Sequence, residues 1–329
     1  MPCGVRGEPQ ASGVNKLRFP FGIPNGWFLL AYSEDLARGA VKRMQYLARE
    51  LVAFRGESGA VSVLDAYCPH LGAHLGEGGV VVGDTLRCPF HGWRWDGQGA
   101  CVEIPYAKRI PAGARAEAFP VRERNGMIFA WHDAQGRAPS WEIPDLPEWH
   151  DADWLTPWLR YEWTVKTHPQ EMAENGVDWP HFATVHKTTM PAERGASFAP
   201  HVYRWTVGAS KEVSTLAGAQ DDLVMRAENW GLGYNFLRQT GRFRTVVATG
   251  LTPIDAETTH MRMGVIAKRE GAAAEAVARD LRAYMDEHAV VATQDFRIWE
   301  NKRFRAQPAL ADGDGPIAEF RRWAAQFYA

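Results

Sequence analysis

Cys68-Pro69-His70 and Cys88-Pro89-Phe90-His91 place one cysteine and one histidine in each of two similar short loops, with seventeen residues between His70 and Cys88. Two thiolates and two imidazoles form a four-ligand metal set, and a chain that must bring both loops to one centre has few ways to fold around it. Zinc uses the same residue types in tetrahedral sites, so ligand identity by itself leaves the metal open. The arrangement says more, because zinc fingers usually take both cysteines from one loop and both histidines from another. Unrelated core or surface side chains would have no reason to show the pairing. Of the other cysteines, Cys3 reads as a tail residue and Cys101, in a strand-like run, as packing; His74 reads as a loop residue.

A [2Fe–2S] centre of the Rieske type divides this ligand set between two irons, one taking both cysteines and the other both histidines. The neutral imidazoles raise its reduction potential above that of an all-thiolate cluster. Four cysteines in 329 residues are too few for a disulfide scaffold, which leaves ligation or packing for them. A formal net charge of −2 gives no electrostatic reason to expect nucleic acid or an anionic membrane as partner. No apolar run approaches the roughly eighteen residues of a membrane span, and residues 1–15 have no apolar signal core, so a cytoplasmic protein is expected.

The length suggests two domains. Residues 17–135 are dense in short alternating runs broken by Gly, Pro and Asn, such as Gly26-Trp27-Phe28-Leu29-Leu30-Ala31, and read as mostly β. The stretch 133–153, with Pro139, Pro144 and Pro147, interrupts any regular element and reads as a linker, which divides the chain into 17–135 and 136–329. A helical segment is expected over about 169–186. Strand-like runs follow, with a clear pair at Thr245–Thr252 and His260–Lys268 joined through Pro253-Ile254-Asp255. From 272 to 301 there is no Gly or Pro, and Val277, Leu281, Tyr284, His288, Val291, Asp295 and Ile298 recur at steps of four and three. That pattern predicts one helix with one buried stripe, and the fold class is α+β.

A Rieske cluster carries electrons but offers substrate no open position, so the second half should hold another centre. Glu174, Asp178, His181 and His186 follow at steps of four, three and five. At about 100° per residue the first three share one helical face, while His186 lies about 140° round from His181. The helix must therefore distort or end between the histidines for both to bind one metal, and Lys187-Thr188-Thr189-Met190-Pro191 offers an ending. Two histidines and a carboxylate on one face of iron(II) leave positions open for O2 and substrate. Asp295 is the candidate carboxylate, since an unpaired charge in an apolar stripe is costly to bury. The alternatives for it are a pairing with Arg297 or Arg303, or a stripe that opens to solvent. His288 reads as a core histidine, Glu174 and Asn175 as groups behind the ligands, and His168 has no evident role.

The two cluster loops, with Gly92-Trp93-Arg94-Trp95-Asp96-Gly97 after the second, resemble the Rieske domain of ring-hydroxylating oxygenases over residues 17–135. The segments Cys68-Pro69-His70-Leu71-Gly72-Ala73-His74-Leu75 and Ile104-Pro105-Tyr106-Ala107-Lys108-Arg109-Ile110-Pro111 resemble, more narrowly, cholesterol 7-desaturases and the oxygenase component of 3-ketosteroid 9α-hydroxylase. So does Asp314-Gly315-Pro316-Ile317 with the aromatic run after it, which extends the resemblance over nearly the whole chain.

The resemblance implies a helix-grip (START-like) catalytic domain after an antiparallel Rieske domain, with His181, His186 and Asp295 as ligands of a mononuclear Fe(II). It also implies a ring trimer in which Asp178 bridges His91 (or His70) of a neighbouring subunit to His181. From the residues alone, Asp178 could equally be a hydrogen-bond acceptor that orients His181. The implied activity is hydroxylation or desaturation of a sterol or steroid by O2. Electrons would come from NAD(P)H through a separate reductase or ferredoxin, since no Gly-x-Gly-x-x-Gly fingerprint follows a strand here. The rivals are an aromatic-acid O-demethylase or hydroxylase of the same superfamily, which a carboxylate-binding Arg in the pocket would favour, and a Rieske electron carrier with a non-catalytic second domain.

Overall fold

The computed structural model describes residues 17–187, 193–209 and 223–329, without the side chains of Ala209, Glu287 and His288. The readings of Cys3 and residues 1–15, of 188–191 as a helix ending, and of the His288 side chain therefore lie outside the described residues.

The N-terminal half carries three small antiparallel sheets. β1 (Gly26–Tyr32) pairs with β11 (Met127–His132), which pairs with β10 (Val121–Arg124). A second sheet runs β2 (Val41–Tyr46), β3 (Arg49–Arg55), β4 (Val61–Asp65), β9 (Ala118–Phe119). A third, β5 (Val80–Val82), β6 (Thr85–Arg87), β7 (Arg94–Trp95) and β8 (Cys101–Glu103), carries the two Cys/His loops on its approaches. The apolar run of β1 is buried along its whole length because both faces are covered. Phe28 and Leu30 pack with Leu51 and Ile128, while Trp27 and Leu29 pack with Phe129 and with Tyr234 and Phe236 of the second half.

That second half is built on a seven-stranded antiparallel sheet: β12 (Leu159–Val165), β18 (Thr258–Ala267), β17 (Thr245–Asp255), β16 (Tyr234–Thr240), β15 (Leu223–Trp230), β14 (Val202–Ala209), β13 (Glu193–Phe198). The predicted pair at 245–268 is its β17–β18 hairpin, one strand in from the β12 edge. Side chains alternate across the sheet, so Tyr234, Phe236, Val246 and Ala248 meet the β1 sheet, and the opposite face takes the helices. There Leu281, Met285 and Ala289 of the long helix pack on Val247, Met263 and Val265, and Phe320 and Trp323 near the C-terminus pack on Tyr203. This is the expected helix-grip plan. Among the described residues no helix is long and apolar enough to cross a membrane.

The structure corrects three local expectations. The stretch 133–153 is irregular apart from α1 (Pro147–His150), yet Trp141, Ile143 and Leu146 are buried in the main core and the Trp141 carbonyl accepts the Trp27 indole N–H at 2.8 Å. It is a packed strap, not a slack connection. The helical segment at 169–186 is two helices, α2 (Pro169–Glu174) and α3 (Pro180–Thr184), joined by a 3-10 turn at Asn175–Val177 and a break at Asp178. Pro180 has no N–H for an i−4 bond and starts the second helix instead. Glu174, Asp178 and His181 thus do not share one helical face. The long helix, α4 (Ala274–Thr293), ends before Asp295, a separate short helix, α5 (Phe296–Trp299), follows the break, and Ile298 is exposed. The buried stripe of α4 runs Val277, Leu281, Met285, Ala289, with Tyr284 at its margin.

His168, without a role in the sequence, caps α2. Its Nδ1 accepts the Gln170 N–H at 3.1 Å, its Nε2–H donates to the Gly22 carbonyl at 3.1 Å, and burial pushes its pKa down to about 4.

Glu174 turns away from the break and takes a two-pronged ion pair, at 2.6 and 2.9 Å, from Arg321 of α6 (Ile317–Ala324). Both side chains are largely buried, 8% and 17% exposed. Removing one partner strands the other as a buried charge, whereas removing both does not. Arg321→Leu should cost about 3 kcal/mol in urea unfolding, and Glu174→Met with Arg321→Leu should recover much of that loss. A double variant as unstable as the single one would show that the pair is not the fastening.

Candidate iron centres

The two Cys/His loops fold alike. Cys68 N–H donates to the Ala73 carbonyl and Cys88 N–H to that of Trp93, both at 2.8 Å, while Gly72 and Gly92 N–H return to the carbonyls of Cys68 and Cys88 at 2.9 and 3.2 Å. Gly72 and Gly92 turn the chain at φ +76° and +73°, where a side chain is disfavoured. The repeat leaves both cysteines buried and His70 and His91 half-buried, their rings 4.7 Å apart and edge to face, with His70 stacked on Trp93.

Burial, with Cys88 alongside, pushes the Cys68 thiol up to about 11. Two neighbouring buried thiolates need a positive centre between them, which a metal cluster supplies. The buried Trp95 indole N–H has no hydrogen-bond partner of ordinary geometry and lies toward the Cys68 sulfur, where it favours the thiolate. The donor set fits a cluster, which the buried cysteines and the half-buried histidines would hold between them. Cys101 is packed in β8, and His74 is a loop residue held by Glu50 at 2.9 Å, as expected.

The second constellation joins α3 to the bend between α4 and α5. His181, His186 and Asp295 bring one ligand atom each to within 4.8 Å of one another. α3 ends at Thr184, so His186 leaves the helix before it turns inward, which resolves the 140° mismatch. Each histidine has its Nδ1 engaged: that of His181 by the backbone carbonyl of Asp178, that of His186 by Gln294 Oε1 at 2.9 Å. Both Nε2 atoms are left for the centre, the usual way ligating imidazoles are oriented. His186 Nε2 stands 3.4 Å from Asp295 Oδ2, and the Asn175 amide nitrogen lies 3.1 Å from both His181 Nε2 and Asp295 Oδ2. Asp295 therefore meets neither Arg297 nor Arg303.

Burial lowers the His181 pKa, with the Asp178 carbonyl and the Asp295 charge opposing it, so the ring is neutral and a competent ligand. Burial also works against protonated His186, but Asp295 and Gln294 outweigh it and raise the pKa. For Asp178 burial dominates and raises the pKa, against His181 and Lys302. Its backbone orients His181, and its carboxylate has no hydrogen bond or ion pair among the described residues.

A cavity of about 190 Å3, open on one side, adjoins the triad and is lined by His181, His186, Met172, Phe182, Trp205 and Asn229, among others. Glu174 stands outside it. Gln294 and Asn229 carry no sequence signal: a glutamine beside Asp295 and an asparagine in a strand acquire meaning only from the helix break and the sheet register.

Residues 26–119 match the Rieske [2Fe-2S] domain, and residues 130–328 match the 3-Ketosteroid 9alpha-hydroxylase C-terminal domain. A cluster domain followed by an oxygenase domain on one chain defines a Rieske non-haem iron oxygenase, which works with a [2Fe–2S] cluster, a mononuclear iron and a separate reductase. The chain belongs to the family of 3-ketosteroid 9α-hydroxylase C-terminal domains. It is 34% identical over 334 residues to a cholesterol 7-desaturase of Ciona intestinalis, covering 93% of this chain and 69% of that protein. It is 35% identical over 341 residues to a probable 3-ketosteroid-9-alpha-monooxygenase oxygenase component of Rhodococcus rhodochrous, covering 98% and 84%. The crystal structure of dicamba monooxygenase bound to dicamba shares the fold, with a TM-score of 0.73 at 22% identity, over 93% of this chain and 97% of that one.

Gln294→Leu removes the acceptor that holds the His186 ring and should lower iron(II) affinity about 10- to 100-fold in an anaerobic titration. Wild-type affinity in that variant would remove the orienting role.

Proposed function

We propose that Cys68, His70, Cys88 and His91 hold the [2Fe–2S] cluster and that His181, His186 and Asp295 hold the mononuclear iron, in a chain that hydroxylates or desaturates a sterol or steroid. Residues 17–135 serve electron transfer and residues 136–329 serve the chemistry. When bound, the two metal groups supply single electrons and O2 activation. The protein's part is orientation: Asp178 carbonyl and Gln294 aim the two imidazoles, the Asn175 amide donates to the Asp295 carboxylate, and the largely apolar cavity positions a C–H bond beside them.

The observation that carries the substrate class is the cavity lining. Among its described residues there is no Arg or Lys, so an aromatic carboxylate would enter without a counter-charge, whereas an uncharged, mostly apolar body would not need one. The names of the relatives, cholesterol 7-desaturase and 3-ketosteroid-9-alpha-monooxygenase, agree with that class. A pure electron carrier would leave the His181, His186 and Asp295 constellation without a purpose.

The assembly is a homotrimer in which Asp178 faces His91 or His70 of a neighbour. An unpartnered Asp178 carboxylate supports this, as do Leu71 and Phe90, 65% and 61% exposed next to the cluster histidines. A reducing, cytoplasmic setting accords with the free cysteines Cys68, Cys88 and Cys101.

The test is a single turnover. Protein reduced chemically without air is given O2 with a steroid panel or an aromatic-acid panel, and products are weighed by mass spectrometry. A steroid gaining one oxygen or losing two hydrogens is expected; conversion of an aromatic acid alone would overturn the substrate class. The wild type should hold about three irons per chain and Asp295→Ala about two, with the cluster spectrum unchanged. Equal iron in both would exclude Asp295 as a ligand.

A further inference from the structure

We infer that Asn229 is the hydrogen-bond donor that fixes the one polar oxygen of the substrate against the iron centre, and so determines which uncharged steroids are accepted. The inference rests on the steroid reading above and adds the contact that orients the ligand.

Strand register puts Tyr203, Asn229, Asn235 and Thr249 in one row across β14, β15, β16 and β17, on the helix-bearing face of the sheet. The adjacent row on the same face, Ala227, Leu237 and Val247, is apolar. The polar row is thus a local interruption in an apolar wall, and Tyr203, Asn229 and Asn235 of that row line the cavity that His181 and His186 also line. The Tyr203 hydroxyl is already spent on the Ala173 carbonyl. Asn229 is not so engaged: it is 4% exposed, and its amide nitrogen has no hydrogen-bond partner.

Buried amide nitrogens are nearly always paired, because one left unpaired forfeits its hydration for nothing. An unpaired one in the wall of a reaction cavity is explained when a ligand supplies the acceptor. The amide donates, so the ligand must present a carbonyl or hydroxyl oxygen. With Met172, Phe182 and Trp205 on the same cavity and no cation among its described lining residues, the remainder of the ligand is apolar and uncharged. A rigid body with one oxygen at a fixed distance from the reacting carbon would be held in a single register, which makes the contact a determinant of position as well as affinity.

The experiment compares, on the iron-loaded protein, calorimetric binding of a ring-ketone steroid with that of the same skeleton carrying CH2 in place of the carbonyl. Wild type should prefer the ketone by about tenfold, the worth of one net hydrogen bond. Asn229→Leu should bind the two equally and melt no lower than wild type, since an unpaired buried amide is replaced by an apolar group of similar size. Asn229→Asp, which keeps the size but cannot donate when ionised, should also lose the preference. A retained ketone preference in both variants would overturn the inference while leaving the steroid reading intact, and so would a steep fall in the Asn229→Leu melting temperature, which would reveal a structural partner. Binding of neither steroid by wild type would overturn both.

Discussion

The buried ion pair between Glu174 and Arg321 joins residues 147 positions apart, and the geometry of the catalytic half depends on it. α2 and α3 are six and five residues long, too short to be stable alone, so their placement comes from what they pack against. Arg321 holds the end of α2 just before Asn175, and Lys302 holds its middle through Glu171 at 2.7 Å, a carboxylate with no exposure whose pKa burial raises. Gly315 closes on the same stretch so tightly that a Cβ there would strike the Val177 carbonyl. The C-terminal segment therefore clamps the chain that leads into the break. With the break fixed, the Asp178 carbonyl meets His181 Nδ1 and the ring's other nitrogen has one direction left.

The seven-stranded sheet separates two duties. One face is fused to the β1 sheet through Leu29, Phe129, Tyr234 and Phe236, a dry contact that fixes the cluster-bearing half relative to the sheet. The other face carries the helices, the triad and the cavity. An alternating strand can serve both because its neighbouring side chains answer to different environments: Tyr234 and Phe236 of β16 are core, while Asn235 between them reaches the cavity. The same alternation makes the polar row at Asn229 and Asn235 affordable, since a one-residue change of register would drive both amides into the inter-sheet core.

What could be read from the sequence follows from how local each feature is. The Cys/His loops were legible because each is a self-contained turn whose cysteine and histidine lie two or three residues apart, and Gly72 and Gly92 mark the same turn twice. The His181 and His186 spacing was legible as a conflict with helical geometry, and the structure resolves it by ending α3 at Thr184. Asp295 was legible as a charge out of place in an apolar stripe. The linker at 133–153 was legible as irregular chain, but its prolines hide the burial of Trp141 and Leu146. The α4–α5 bend was missed because no Gly or Pro marks it. Gln294 and Asn229 could not be found in advance, since their roles are set by partners 108 residues away in one case and by sheet register in the other.

Proton accounting favours the reading of these residues as a metal centre over that of a mere polar cluster. With both Nδ1 atoms engaged, two imidazole lone pairs and a carboxylate converge, and three acceptors facing one another repel unless something donates among them. The Asn175 amide serves two of them, His181 and Asp295, at 3.1 Å each. The third, His186, has its proton affinity raised by Asp295 and Gln294. A proton there and a divalent cation would answer the same electrostatic demand, and the cation answers it for all three acceptors at once. The fold thus fixes three lone pairs at a convergence that a single positive centre relieves best, with the carbonyl of Asp178 and the amide of Gln294 preventing either ring from turning away.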